Sequence, residues 1–322
     1  MAERSELRRK PLARTGVEVS ELGVGGYIGA LTDDTASDTQ RQDAAIAAVN
    51  RAIDLGIRYF DTSPAYGTAE RYLGAALSTL ATDVRDQLTV STKVGTHPDR
   101  RNTYGADDVR WCYETSHGLL GRIDIVFVHD PVNDGHMDQI LAAGGAFEAL
   151  EELQAAGQIR GIGIGVRNHR FLRRAIDSGR ADVILPSYDY HPIRRSLAPV
   201  LDAAATTGVA VVNGSPYQAG LLAGIDLDEA AQRRPPNDAD LARARAVVDW
   251  CRGRGVDVGA LAVQFSLRDP RITATLVGPR TVDEVESGLR HATEALPEDV
   301  WADLEALLAN LQPPPAAGGE AQ

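Results

Sequence analysis

Lysine is nearly missing from this chain. Of 33 basic residues only Lys10 and Lys93 are lysine, and the other 31 are arginine. A GC-rich coding bias alone would give that ratio. It still singles out a lysine at a strand end, because a lysine ammonium can be tuned whereas a guanidinium holds its charge. Positive charge is scarce overall: the net charge is −12 and the isoelectric point near 5.1. That balance argues against nucleic acid or anionic lipid as the main partner. Only two cysteines occur, Cys112 and Cys251, both in helical patterns without metal-ligand spacing. They read as buried free thiols of a cytosolic protein, and no metal is expected. No apolar run reaches the roughly 18 residues that span a bilayer. Met1-Ala2-Glu3-Arg4-Ser5 lacks an apolar signal core, so a cytoplasmic location is expected.

The chain has 43% hydrophobic residues, enough for a sizeable core. Arg9 to Gly26 reads as a hairpin and a first strand, with the turn at Thr15-Gly16. Gln40 to Leu55 carries apolar residues at helical spacing and stops at Gly56. Strand and helix then alternate through Val282 to Ala292, and Pro297 to Leu311 adds a terminal helix. About eight such units with short connections call for a parallel sheet, and the length suits an α/β fold of the closed (β/α)8 TIM-barrel type. It would be one domain over residues 1–312, with residues 313–322 as a disordered tail. The competing open doubly wound sheet needs a G-x-G-x-x-G turn opening a helix. Gly161-Ile162-Gly163-Ile164-Gly165 lies inside a strand at the wrong spacing, and reads as close packing against a neighbour.

In a barrel, ligands and reactive groups collect where strands end. Gly56 to Phe60 is a short apolar run that breaks into turn chemistry at Asp61, with Tyr66 on the loop behind it. Lys93 ends the third strand and His129 the fourth. Each alone has a structural explanation, as a turn residue, an ion-pair partner or a core histidine. Together they form an acid/base set. A phenol with a reference pKa of about 10 exchanges protons poorly near neutrality, and an adjacent ammonium favours its phenolate. Asp61 would keep Lys93 charged and aimed at Tyr66, and His129 would orient a carbonyl or hydroxyl oxygen. Nothing in the set supplies electrons, so a bound nicotinamide is the natural partner.

The segments Gly56 to Gly67, Ser91 to Gly95 and Arg122 to Pro131 resemble the aldo-keto reductase superfamily, and the resemblance runs from about residue 9 to residue 310. It implies a barrel with nicotinamide cofactor at its mouth, Tyr66 as acid/base, Lys93 and Asp61 tuning it, and His129 orienting substrate. Within the superfamily, His129-Asp130-Pro131, Gly145 to Gly165 and Val211 to Ala223 are most similar to the aldose 1-dehydrogenase branch. That branch comprises the L-fucose, D-threo-aldose and L-galactose dehydrogenases, which oxidise an anomeric hydroxyl to a lactone.

The resemblance also assigns a cofactor set: Gly25, Asn168, Ser187, Ser215, Pro216, Tyr217, Gly278, Arg280, Glu284 and Gly288. Arg167 stands where reductases of the superfamily commonly have serine, and with Tyr27 it is expected to face substrate. Ser187 replaces the usual glutamine, and Gly214 the usual stacking aromatic. Glu284 would repel a 2′-phosphate and Arg280 would attract one; NAD is expected, with NADP the alternative. An NADPH-dependent reductase of a keto-sugar or another biosynthetic carbonyl is the second enzyme reading. A non-catalytic cofactor-sensing subunit is a third. The substrate is thus a small sugar or carbonyl compound, and the sequence does not set an oligomeric state.

Overall fold

The computed structural model describes residues 7–26, 28, 35–233 and 236–311. The expected substrate residue Tyr27 and the tail at 313–322 lie outside the described residues. Strands β1 (Arg9–Pro11) and β2 (Glu18–Ser20) form an antiparallel hairpin with Lys10 opposite Val19. Its turn is a single 3-10 turn, Ala13–Thr15, closed by Gly16 at φ 70°. Next come β3 (Leu22–Gly25), β4 (Tyr59–Asp61) and β5 (Thr89–Val94). A small ladder of β6 (Thr96–His97) and β7 (Arg100–Arg101) decorates the loop after β5. Then follow β8 (Ile125–His129), β9 (Gly161–Gly165), β10 (Val183–Leu185), β11 (Ala210–Gly214) and β12 (Ala274–Val277). The strands β3, β4, β5, β8, β9, β10, β11 and β12 are all parallel, and β12 pairs back onto β3 to close the barrel. The expected (β/α)8 architecture is therefore what the chain adopts.

Strand alternation divides the apolar residues into two layers. Tyr59, Ile125, Phe127, Val183, Val212 and Leu276 fill the barrel interior, joined by Leu12 and Val19 of the hairpin. The hairpin therefore plugs the end at which the strands begin. Phe60, Val126, Val128, Ile162 and Ile164 point the other way, into the shell of helices. The glycines of β9 make room for the interior layer. A Cβ on Gly163 would lie 2.4 Å from the Phe127 ring, and one on Gly161 would lie 2.6 Å from Thr15. The run Gly161 to Gly165 is thus a packing device.

The first helix of the shell, Asp38–Asp54, starts at Ser37, whose hydroxyl accepts the Gln40 N–H while the Gln40 side chain returns to the Ser37 N–H. Such a capping box contributes about 1 kcal/mol. The helix buries Ala45, Ala48, Val49, Ala52 and Ile53; of the apolar positions at helical spacing, Ala44 stays only partly covered. The long loops hold more structure than the sequence pattern indicates: Asp134–Leu141 and Leu227–Arg233 are short helices. Asp134–Leu141 buries only Met137 and Ile140, too few apolar positions to register as a periodic signal.

Candidate active site

Three neighbouring strands bring the polar residues together at the mouth. Alternation points Tyr59 and Asp61 of β4, Ser91 and Lys93 of β5, and Phe127 and His129 of β8 into the barrel. Asp61 is in register with Ser91, and Lys93 with Phe127. Lys93 Nζ lies 2.5 Å from Asp61 Oδ2 and donates to the Thr62 carbonyl at 2.8 Å. Nζ also sits 4.8 Å from the centre of the Tyr66 ring, close enough for ammonium and phenol to act on each other's protonation. Ser91 Oγ donates to the other Asp61 oxygen at 2.6 Å. The loop carrying Tyr66 is held by Ser63, whose hydroxyl accepts the Ala65 N–H and whose carbonyl accepts the Tyr66 N–H. The Tyr66 and His129 rings meet edge to face, 5.9 Å between centres. His129 Nδ1 lies 2.7 Å from Thr96 Oγ1, and Nε2 lies 3.3 Å from Asp130 Oδ2.

Burial sets the electrostatics. It would lower the Lys93 pKa, but the Asp61 carboxylate and Tyr66 outweigh it, so the ammonium stays charged. It pushes the His129 pKa well below 6.5, and the Lys93 charge adds to that, so the imidazole is neutral at physiological pH. Tyr66 departs from the sequence expectation. Burial raises its pKa first and most, the Lys93 ammonium opposes this, and the Asp61 and Asp130 charges add to the rise. Lys93 therefore moderates a phenol that its surroundings hold protonated, and does not bring it below the usual range.

The opposite half of the mouth is bare. β3 ends in Gly25 and β11 in Gly214; Gly278 follows β12. A Cβ on Gly278 would stand 3.3 Å from the Gly25 carbonyl, and one on Gly214 would stand 3.3 Å from the Pro186 carbonyl. A flat ligand could therefore lie against backbone there, facing the polar half. Ser187 bridges to Gly214 on this rim. Ser215 follows at φ 58° and leads through Pro216 into the next loop. Asn168 caps the helix His169–Asp177 through its carbonyl oxygen, which leaves its amide nitrogen to donate. Two further residues of the expected cofactor set have identifiable packing partners. The Tyr217 hydroxyl is 2.8 Å from His291 Nδ1, and Gly288 lets the helix Val282–Thr293 pack on Val277 of β12. Arg280 and Glu284 are bonded to each other, with the Glu284 carboxylate also accepting the Arg280 N–H at 2.7 Å. Arg167 is held by Asp189, at 3.1 and 3.2 Å.

Two contributors escaped the sequence reading. Ser91 could have been found, because it precedes Lys93 by two positions and so shares its face. Thr96 could not, since Gly95, at φ 95°, breaks the strand before it and ends the alternation. Among the described residues no cluster could hold a metal ion, and no helix is long and apolar enough to cross a membrane.

Known proteins resemble the chain along nearly its whole length. L-galactose dehydrogenase of Arabidopsis thaliana is 30% identical, covering 94% of this chain and 95% of its own. D-threo-aldose 1-dehydrogenase of a Pseudomonas species is 31% identical, over 91% and 95%. Pyridoxal 4-dehydrogenase of Microbacterium luteolum is 29% identical, over 92% and 96%. The model of the Aldo/keto reductase family matches residues 21–309. That stretch contains every barrel strand and the whole polar mouth, and the chain belongs to this family of nicotinamide-dependent oxidoreductases.

Proposed function

We propose that the enzyme oxidises the anomeric hydroxyl of an aldose to a lactone, with Tyr66 exchanging the proton and NAD as coenzyme. The observation that carries this reading is the contact of Lys93 with both Asp61 and Tyr66, beside a neutral His129. A neutral imidazole can donate one hydrogen bond to the reacting oxygen without competing for the proton that Tyr66 handles. The bound nicotinamide supplies hydride transfer. Gly25, Gly214 and Gly278 leave room for its ring and ribose at the bare half of the mouth, and Asn168 and Ser187 offer polar groups to its amide. The sugar relatives favour this substrate class. Free, buried Cys112 and Cys251 suit a reducing compartment, and a cytoplasmic location is part of the proposal.

Coenzyme choice follows from the Arg280–Glu284 pair. A 2′-phosphate would have to displace Glu284 from Arg280, whereas a free ribose hydroxyl asks for no such exchange. Glu284→Gln releases Arg280 and is expected to shift the ratio of NADP to NAD affinity about tenfold toward NADP. An unmoved ratio in coenzyme titrations would show that the pair does not set coenzyme choice.

One observation favours the second reading, reduction of a keto-sugar with NADPH: Tyr66 is held as the protonated phenol, the form that donates. Aldoses with NAD against keto-sugars with NADPH separate the two. Tyr66→Phe is expected to lower kcat by about 10²–10⁴ in either direction while coenzyme titration stays unchanged. Wild-type turnover in that variant would reject the acid/base assignment.

A further inference from the structure

The polar mouth contains one group that the proton-transfer set does not use. Asp130 follows His129 directly and leaves the barrel at φ 43°, a left-handed conformation that side-chain-bearing residues adopt at a cost. Its side chain is 59% exposed, although its neighbours Lys93, Asp61 and His129 are buried. Oδ2 stands 3.3 Å from His129 Nε2, the ring nitrogen turned away from Thr96. The carboxylate also lies near enough to Tyr66 for its charge to act on the phenol.

The fold constructs this turn deliberately. The Asp130 N–H is donated to the Gly165 carbonyl of β9 at 2.9 Å. The Tyr104 hydroxyl shares its proton between the His129 carbonyl at 2.9 Å and the Asp130 carbonyl at 3.0 Å. Tyr104 is completely buried, and its ring lies against Gly95, where a Cβ would come within 2.3 Å of it. Gly95 is two residues beyond Lys93. Tyr104 thus ties the end of the lysine strand to the end of the histidine strand, and fixes where the Asp130 carboxylate stands relative to both.

We propose that Asp130 is a specificity-determining residue that accepts a hydrogen bond from a hydroxyl on the carbon next to the reacting one, and that Tyr104 is the positioning residue that holds it there. This rests on the reading of Tyr66 and His129 as the groups that meet the reacting oxygen. An oxygen bound by His129 Nε2 places its carbon, and that carbon's neighbour, within reach of a carboxylate 3.3 Å from the same nitrogen. A carboxylate accepts and does not donate, so it selects a free hydroxyl at that position. The favoured class is therefore 2-hydroxy carbonyl compounds and aldoses with a free 2-hydroxyl, over 2-deoxy and plain aldehyde analogues.

The test compares kcat/KM for paired substrates in the full-length enzyme: an aldose against its 2-deoxy analogue in oxidation, and glyceraldehyde against propionaldehyde in reduction. Asp130→Gly removes the carboxylate and tolerates the positive φ; Asp130→Asn keeps a neutral acceptor. In Asp130→Gly the preference for the hydroxylated partner is expected to shrink about ten- to a hundredfold, with Asp130→Asn intermediate. Tyr104→Phe keeps the buried ring and should lower the preference by about three- to tenfold, with coenzyme affinity close to wild type and thermal unfolding lowered by only a few degrees. A preference retained in Asp130→Gly, or lost equally for both members of each pair, overturns the proposal. Wild-type enzyme that oxidises no aldose yet prefers glyceraldehyde in an Asp130-dependent way overturns the lactone-forming reading and leaves this one standing.

Discussion

Where the barrel strands begin, Glu21, Asp124 and Asp182 immediately precede β3, β8 and β10. Each is buried, each accepts a backbone N–H, from Arg8, Val90 and Ile162 respectively, and each is paired with an arginine, Arg8, Arg122 or Arg14. Where the strands end, Asp61 is equally buried, but its hydrogen bonds come from the side chains of Ser91 and Lys93. Backbone donors and guanidinium groups hold a carboxylate in one state and one place. An ammonium that also touches a phenol passes the influence of the carboxylate to a proton that can move. The difference between the two ends lies in the partner and not in burial, and it gives the shortage of lysine its meaning. Of the two lysines, Lys10 sits on the hairpin at the closed end and donates to the Ile272 carbonyl at 3.0 Å. Lys93 is at the mouth.

The sharpest way to break this contrast is to exchange the cations. Lys93→Arg keeps the charge but places a larger, untunable group in a fully buried slot. Its kcat/KM is expected to fall by about 10²–10⁴. Arg122→Lys at the other end should leave kcat/KM unchanged and shift stability by no more than about 1 kcal/mol. Steady-state kinetics and thermal melts on both variants decide the matter. A Lys93→Arg enzyme within threefold of wild type would mean that the lysine serves only as a charge.

Next in size, Asp182→Ala strips partners from the Ile162 N–H, the Gln154 amide and Arg14 at once. The expected cost is about 1–3 kcal/mol in urea unfolding, with kcat per folded molecule intact. If kcat falls along with stability, the two ends are coupled and the comparison fails.

The sequence made these two ends unequally legible. Asp61, Tyr66, Lys93 and His129 stood out because each ends an apolar run, and strand alternation then delivers them to one place. The barrel was legible from the alternation of strand and helix patterns, and the glycines of β9 from their position inside a strand. What stayed hidden depends on contacts between distant loops. Asp130 and Tyr104 meet only because a buried ring spans from Gly95 to the far side of β8, and spacing along the chain does not encode that bridge. The net rise of the Tyr66 pKa was hidden for a related reason: a partner list shows Lys93, but burial is set by everything around the ring.

The smallest effect expected concerns pH, and here the comparison separates activity from stability. Asp269, ahead of β12, would have its pKa raised by burial, but hydrogen bonds from Arg271 and Tyr190 reverse this and bring it down from 3.8 to about 2. A carboxyl with a folded pKa below its unfolded value stabilises the fold fully above the unfolded value. That contribution disappears as pH falls from about 4 toward 2. After discounting for solvent screening it is about 1 kcal/mol, read as the difference in acid unfolding between wild type and Asp269→Asn. At the mouth the sign is different. His129 is neutral in the folded enzyme well below pH 6.5, so kcat/KM should show no limb near that value. An acid limb at pH 6–7 that vanishes in a His129→Gln variant would mean that the imidazole is protonated in the working site, and that burial and the Lys93 charge do not keep it neutral there.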